Sequence, residues 1–293
     1  MDLSFSLIAQ QLVTGLALGS IYVLVGVGLS LVFGLLTIVN FAHGAFFMVG
    51  AYVGVFVFAK TGNFWFCMVA VPLATGAIGL VVERFLVRPL YGRGIDYPLL
   101  LTFGLAYVMM DVVRMAFGVQ GEQFDTPELL QGAVDIGIGM FPIYRLFLIA
   151  VTAVVLLLLW LVIEKTRFGL IVRAGARDPM VLRVLGIDVS KVWLAIFGVG
   201  TAIAGLAGLL AAPMRGVSPE MGVPVLIEAF VITVVGGMGS LGGAIAAGLL
   251  VGVVMSFTTL FEPELAEFSM FALMAITLIF KPNGLFGRKG LMS

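Results

Sequence analysis

The succession of long apolar runs, uncharged apart from Glu228, is the feature that most constrains what this chain can fold into. A helix needs about 20 mostly apolar residues to cross the hydrocarbon core of a bilayer. Eight such runs are found, at residues 8–35, 41–59, 64–82, 98–110, 146–163, 192–212, 225–257 and 268–280. The runs 98–110 and 268–280 need their flanks in order to span. The pattern predicts an all-α integral membrane protein, a polytopic bundle of about eight transmembrane helices.

The overall composition excludes the soluble alternatives. Hydrophobic residues make up 61% of the chain and charged residues only 11%, whereas a soluble domain carries about 25% charged residues. The 16 basic residues are balanced by 16 acidic ones, so there is no basic excess for binding nucleic acid. The single cysteine, Cys67, excludes an intrachain disulfide and a thiolate metal site, and we expect no metal.

The charged residues predict the orientation in the membrane. The segments 83–96, 164–191 and 281–293 hold twelve of the 16 Lys and Arg residues, so the positive-inside rule places them in the cytoplasm. Counting crossings from there predicts a cytoplasmic C-terminus and, provided that the run 225–257 enters and leaves the cytoplasmic side once, a periplasmic N-terminus. No Lys or Arg precedes Lys60, which argues against a cleaved signal peptide. No linker-like stretch divides the chain, so we expect one transmembrane domain over residues 1–293.

The 38 glycines lie within the apolar runs and predict closely packed and broken helices. Only ten residues, 226–235, precede the sequence GGMGSLGG at 236–243, which favours a half-helix or re-entrant segment there. Glycines also follow two polar breaks in a similar order: Gly44, Gly50 and Gly54, then Gly243, Gly248 and Gly252. Internal duplication and the abundance of glycine both explain this similarity.

Motifs for catalysis are missing from the sequence. The glycine-rich run 236–243 cannot be a phosphate loop of the Walker type because no Lys occurs between residues 191 and 281. His43 is the only histidine, and no G-x-S-x-G elbow occurs. We therefore expect a protein that is not an enzyme and binds no cofactor itself.

Polar residues inside the apolar runs are the candidates for a translocation pathway. Such groups are costly at membrane depth unless they face protein or a water-filled cavity. The first group is Asn40, His43 and Gly44, which a short interfacial turn with His43 capping a helix would also explain. The second group lies near the glycine-rich run, where tight packing and, for Glu228, an interfacial position are the alternatives; it comprises Glu228, Thr233, Gly236, Gly237, Gly239 and Ser240.

The segment 164–191 contains a predicted short helix. Asp178 is a good N-cap, Pro179 suits the first helical position and Gly186 suits the end, so we expect a helix over 179–185. A helix this short is marginal by itself. It either folds back onto the bundle or contacts a cytoplasmic partner.

Three runs of sequence, IVNFAHGAFFMVGAYVG, RFGLIVRAGARDPMVLRVLGIDVSKV and VVGGMGSLGGAIAAGLLVG, resemble the LivH-type permeases of branched-chain amino acid ABC importers. The resemblance runs nearly end to end. It implies a permease in the bacterial inner membrane that works with a second, LivM-like permease, two cytoplasmic ATPases that bind ATP and Mg²⁺, and a periplasmic solute-binding protein. It also implies that the segment 164–191 couples to the ATPase through Arg177, Asp178, Pro179, Leu182, Arg183, Leu185 and Gly186.

Family members commonly read ACAED where this chain reads AGARD at 174–178, so Arg177 replaces an acidic residue. The expected substrates are branched-chain or other hydrophobic amino acids. Urea, amides or aromatic acids, carried by permeases of the same superfamily, are the alternatives, as is an ATP-independent secondary transporter.

Overall fold

The computed structural model describes residues 5–36, 38–135, 137 and 139–287. Within them the chain is almost entirely helical. The α-helices are α1 (Phe5–Leu36), α2 (His43–Thr61), α3 (Phe64–Val82), α4 (Asp96–Phe117), α5 (Ile143–Lys165), α6 (Arg167–Arg177), α7 (Pro179–Val184), α8 (Val189–Arg215), α9 (Gly222–Gly236), α10 (Leu241–Phe261) and α11 (Ala266–Phe280).

Eight of the described helices are long and apolar enough to cross a membrane: α1, α2, α3 with its continuation to Leu90, α4, α5, α8, α10 and α11 with its preceding turn. This confirms the predicted number of spans. The run 225–257 is divided, as predicted, between α9 and α10. Helix α9 has only 15 residues, about 22 Å at 1.5 Å per residue, so its path through the membrane stays a prediction.

One small β-hairpin interrupts the helical pattern. Strands β1 (Ala133–Asp135) and β2 (Met140–Pro142) pair antiparallel, with Val134 opposite Phe141. The hairpin belongs to the segment between α4 and α5, which the charge pattern places outside the membrane. It was not predicted, because these short strands alternate only weakly between polar and apolar residues.

The chain forms two compact units. The first unit comprises Met1–Val27, Asp125–Val154 and Glu228–Ser293, and the second comprises Gly28–Phe124 and Val155–Ile227. Helices α1, α5 and α9 each contain a boundary between the two units. The expectation of a single domain stays a prediction.

Glycine contacts dominate the packing inside each unit. In the second unit, α8 packs on α2 and α3, and a Cβ added at Gly50 would collide with the backbone of Gly205. In the first unit, α10 lies against α1, where Gly252 meets the backbone of Gly19. Small residues allow this close approach between helices in a bilayer, where dispersion forces replace the hydrophobic effect as the driving force.

Candidate functional site

The predicted short helix of the segment 164–191 is present as α7. The carboxylate of Asp178 accepts hydrogen bonds from the backbone N–H groups of Met180 (2.8 Å) and Val181 (3.4 Å). Helix α7 ends at Val184, one residue before the predicted end. Gly186 has a φ of 75°, a left-handed conformation that suits glycine at a helix end. The local sequence therefore sets both ends of the helix.

The apolar side chains of α7 divide into one anchor and an exposed group. Leu182 is 2% exposed and lies over Gly175 of α6. The other apolar side chains, which are more than half exposed, are Met180, Val181, Val184 and Leu185. The remaining predicted coupling residues Arg177, Asp178, Arg183 and Gly186 are also exposed, and Pro179 is half-buried. Leu182 thus fixes the helix to the chain and leaves an apolar surface uncovered.

The polar break before α2 forms a buried turn. Asn40 and His43 are both fully buried. The side-chain oxygen of Asn40 accepts a hydrogen bond from the N–H of Ala42 (3.1 Å), while its Nδ2 has no hydrogen-bond partner among the described residues. The imidazole of His43 lies against Gly28, and Gly44 lies against the backbone of Gly222. The break is therefore inside the protein, and the choice between an interfacial turn and a pathway role stays a prediction.

A small apolar pocket, partly open to the surroundings, lies next to this turn, within the second unit. Helices α2, α4 and α9 contribute its walls, together with flanking residues. Phe41 and Phe103 meet edge to face across 6.3 Å, and Phe103 meets Tyr107 across 5.2 Å. The lining residues are Phe41, Ala45, Met48, Phe103, Ala106, Tyr107, Met110, Pro219, Gly222, Val223 and Leu226. The pocket suits an aliphatic or aromatic group.

Glu228 lies in the middle of α9, not at its end. Its carboxylate accepts a hydrogen bond from the hydroxyl of Tyr22 (3.2 Å), and Tyr22 is 1% exposed near the middle of α1. Since α1 is a candidate membrane span, this contact puts Glu228 beside the middle of that span, and its depth in the membrane stays a prediction. An ionisable group at membrane depth usually has a functional role and a specific partner.

The remaining predicted pathway residues form a structured turn between α9 and α10. The hydroxyl of Thr233 donates to the carbonyl of Ala229 (2.8 Å). Gly237 has a φ of 100°, and its N–H donates to the carbonyl of Thr233 (3.0 Å). Ser240 caps α10 by accepting from the N–H of Gly243 (3.1 Å). Gly236 packs on Gly243, and Gly239 also has a positive φ. Their part in the pathway stays a prediction.

A charged cluster at the end of α3 was not predicted, because its residues were counted only as charged residues of a loop. Glu83 is fully buried and forms a salt bridge with Arg88 (2.8 Å). Tyr91 donates its hydroxyl to the same carboxylate (2.9 Å). The one available signal was that Glu83 follows the apolar run 64–82 directly, at the end of a span.

A second unpredicted ion pair joins α4 to the segment before α9. Arg114 contacts Glu220 at 2.7 Å and Asp111 at 3.1 Å. The hydrogen bond from Arg114 lowers the pKa of Glu220, so the pair persists at mildly acidic pH. Since both side chains are partly exposed, this pair adds little stability. It positions Glu220 near Pro219 and Gly222, which line the pocket.

The sequence is similar to known proteins across nearly the whole chain. A model of the branched-chain amino acid transport system permease components matches residues 11–278. BraD of Pseudomonas aeruginosa, a high-affinity branched-chain amino acid transport system permease protein, is 31% identical over 95% of each chain. LivH of Escherichia coli strain K12 is 29% identical over 98% of each chain.

The permease protein LivM of Salmonella typhimurium is 28% identical, over 90% of this chain and 67% of that protein. These relatives are transport components and not enzymes. With eight long apolar helices, the chain is a multi-pass membrane protein. It belongs to the family of branched-chain amino acid transport system permease components.

Proposed function

We propose that this chain is a membrane-spanning permease subunit of a binding-protein-dependent ABC importer for branched-chain or other hydrophobic amino acids. It pairs with a second, LivM-like permease and receives its substrate from a periplasmic solute-binding protein. Two cytoplasmic ATPases bind ATP and Mg²⁺ and drive the transport. The chain itself binds no nucleotide and no metal.

The observation that carries this proposal is the exposed apolar surface of α7. Val184 is 81% exposed and Leu185 is 68% exposed, on a helix whose charged neighbours indicate the cytoplasmic side. Exposed apolar side chains grouped on a small rigid element are typical of a protein contact. An ATPase that covers Val181, Val184 and Leu185 would move α7 when it binds nucleotide.

The pocket near Phe41 supports the substrate class. Its lining is apolar and aromatic, as an aliphatic side chain requires. The buried Asn40 is adjacent in sequence to Phe41, which lines the pocket. Its amide offers a donor for a substrate carboxylate. Few polar contacts suffice, since selectivity resides mainly in the binding protein.

Contacts at the C-terminal end support the proposed orientation. The N–H groups of Leu285 and Phe286 donate to the carbonyls of Val235 and Gly236, so the end of α9 lies beside the first residues of the basic segment 281–293. The positive-inside rule places that segment in the cytoplasm. Helix α9 then runs inward as a crossing additional to the eight long spans, so nine crossings that end at a cytoplasmic C-terminus give a periplasmic N-terminus.

The proposed transport cycle alternates access to the pathway between the two sides. ATP binding closes the ATPases and draws α7 with them. Because α8 follows α7 after only four residues, 185–188, the displacement reaches a long span directly. Hydrolysis reopens the ATPases and returns the spans to their starting positions.

Purification of the tagged chain from its native membrane in mild detergent tests the proposal. We expect two P-loop ATPases and a second permease to remain bound and to be identified by mass spectrometry. The complex should import a branched-chain amino acid into liposomes only with ATP and the binding protein. A chain that purifies alone and moves solute without ATP would instead be a secondary transporter, and urea or an amide as the preferred solute would change the substrate class.

The variant Leu185→Asp tests the role of α7. A charge introduced into an apolar contact costs about 2 kcal/mol or more, so we expect the ATPases to dissociate and ATP-driven uptake to fall at least about tenfold. The matched control is Leu129→Asp, because Leu129 is also exposed (76%) but lies between α4 and α5. Normal ATPase retention and uptake in Leu185→Asp would contradict the docking role.

A further inference from the structure

The cluster at the end of α3 provides hydrogen-bond donors for a fully buried carboxylate. Glu83 accepts hydrogen bonds from the guanidinium of Arg88, through Nε (3.3 Å) and Nη2 (2.8 Å), and from the hydroxyl of Tyr91 (2.9 Å). A two-point contact between a guanidinium and a carboxylate fixes direction as well as distance. Burial and the facing carboxylate of Glu83 raise the pKa of Tyr91, so Tyr91 remains a donor.

Two irregular helical turns in the backbone bring these three side chains together. Residues Glu83–Val87 form a π-helical turn and Arg88–Leu90 a 3₁₀ turn. The wide turn lets the N–H of Arg88 reach the carbonyl of Glu83 five residues earlier. Such turns interrupt a regular helix at some energetic disadvantage and are frequent at functional sites.

The same cluster holds the first turn of α8. Arg88 Nη2 also donates to the backbone carbonyl of Ser190 (3.2 Å). The ring of Tyr91 meets the ring of Trp193 edge to face at 4.7 Å. Ser190 is in turn fixed by the N-cap Asp188, which accepts its N–H (3.0 Å). The end of α3 and the start of α8 are thus joined by a charged hydrogen bond and an aromatic contact.

This junction lies immediately after the exposed helix α7 in sequence. A displacement of α7 reaches α8 through residues 185–188, and α8 packs along α3 and α2. Without a firm link at the start of α8, the polypeptide between α7 and the spans could absorb the displacement by bending. With the link, α8 and α3 must move together.

We propose that Glu83, Arg88 and Tyr91 are positioning residues that transmit the movement of α7 to the membrane spans, a role that rests on the proposed function. They bind neither substrate nor nucleotide. The carboxylate of Glu83 orients the guanidinium of Arg88, and Arg88 holds α8 through the carbonyl of Ser190. Weakening the cluster therefore separates ATP hydrolysis from transport and leaves both binding steps in place.

The test uses the purified complex in liposomes and measures uptake and ATP hydrolysis together. Glu83→Gln turns one oxygen of the acceptor into a donor that faces Arg88, and Arg88→Lys loses the two-point contact. We expect the uptake per ATP hydrolysed to fall about tenfold in both variants, within the range of typical coupling between sites. Tyr91→Phe keeps the contact with Trp193 and should show a smaller decrease. Arg93→Gln, an exposed residue in the same segment, is the matched control.

Two further measurements distinguish the proposed positioning role of the cluster from a purely structural one. A merely structural cluster would reduce the amount of folded complex, or uptake and hydrolysis in proportion, with an unchanged ratio. The double variant Glu83→Met/Arg88→Met removes the buried carboxylate and its half-buried guanidinium partner at similar volume, which proteins often tolerate, and it should also be uncoupled. A well-folded double variant with normal coupling would overturn the role. Absence of ATP-driven uptake in the unmodified complex would overturn the proposed function itself, independently of these variants.

Discussion

Helices α2 and α10 look alike in sequence but begin in physically different ways. Each follows a polar break and carries a row of glycines that packs on another helix. Gly50 of α2 lies on Gly205 of α8, and Gly252 of α10 lies on Gly19 of α1. Close backbone contact is therefore a shared property of both rows and gives no indication of a site.

The two breaks differ in how their polar groups are satisfied. Before α10, Ser240 caps the helix, and residues 285 and 286 pair with the end of α9. Before α2, Asn40 is fully buried, and its Nδ2 has no partner among the described residues. A buried polar group is usually satisfied, so the comparison marks the break before α2 as the functional candidate and the break before α10 as a structural turn.

The largest effect is expected at the close glycine contacts that α2 and α10 have in common. Gly50→Leu and Gly252→Leu would each place a side chain inside a neighbouring backbone, which costs about 3 kcal/mol or more. We expect little folded protein in the membrane for either variant, measured by its amount and by thermal unfolding in detergent. The controls are Gly104→Leu and Gly242→Leu, whose added Cβ meets no atom within 4 Å. Unequal effects of Gly50→Leu and Gly252→Leu would show that the two glycine rows do not have the same packing role.

A smaller and more specific effect is expected at Asn40. In Asn40→Ser the hydroxyl can still accept the N–H of Ala42, as serine does in turns, but the amide donor is lost. If that donor contacts a charged substrate group, its loss reduces uptake about tenfold, since such hydrogen bonds contribute about 1.5–3 kcal/mol. Uptake is measured per molecule of folded protein. Unchanged uptake would remove Asn40 from the pathway.

The smallest effect is expected at Ser240. Ser240→Ala removes the N-cap of α10 and costs about 1 kcal/mol of stability. We expect a slightly lower thermal unfolding temperature and unchanged uptake per folded molecule. A loss of uptake as large as that in Asn40→Ser would show that both breaks serve transport, and the proposed difference between α2 and α10 would then be wrong.

The sequence predicted those parts of the fold that depend on local chemistry. The eight spans follow from the length of apolar sequence that a bilayer requires. Helix α7 was predicted because its start is set by Asp178 and Pro179 and its end by Gly186, all within nine residues. The division of the run 225–257 was predicted because ten apolar residues before a glycine-rich stretch are too few for a full crossing.

Contacts between residues that are far apart in the sequence could not be predicted from it. Arg88 donates a hydrogen bond to the carbonyl of Ser190, a residue 102 positions away. Since every residue has a backbone carbonyl, the sequence does not indicate which one is the acceptor. The position of Glu228 beside the middle of α1 depends on its contact with Tyr22 in that helix. The pairing of Gly50 with Gly205 was equally hidden, because 38 glycines allow many pairs and only the three-dimensional arrangement selects among them.

The contact between residues 285 and 286 and the end of α9 also bears on how the protein is made. The carbonyls of Val235 and Gly236 are buried, and their hydrogen-bond donors come from the segment after the last span. During synthesis those donors leave the ribosome only after α10 and α11 have been inserted. The short helix therefore completes its folding late, and a premature stop before Leu285 would leave its final turn unsatisfied in an otherwise inserted protein.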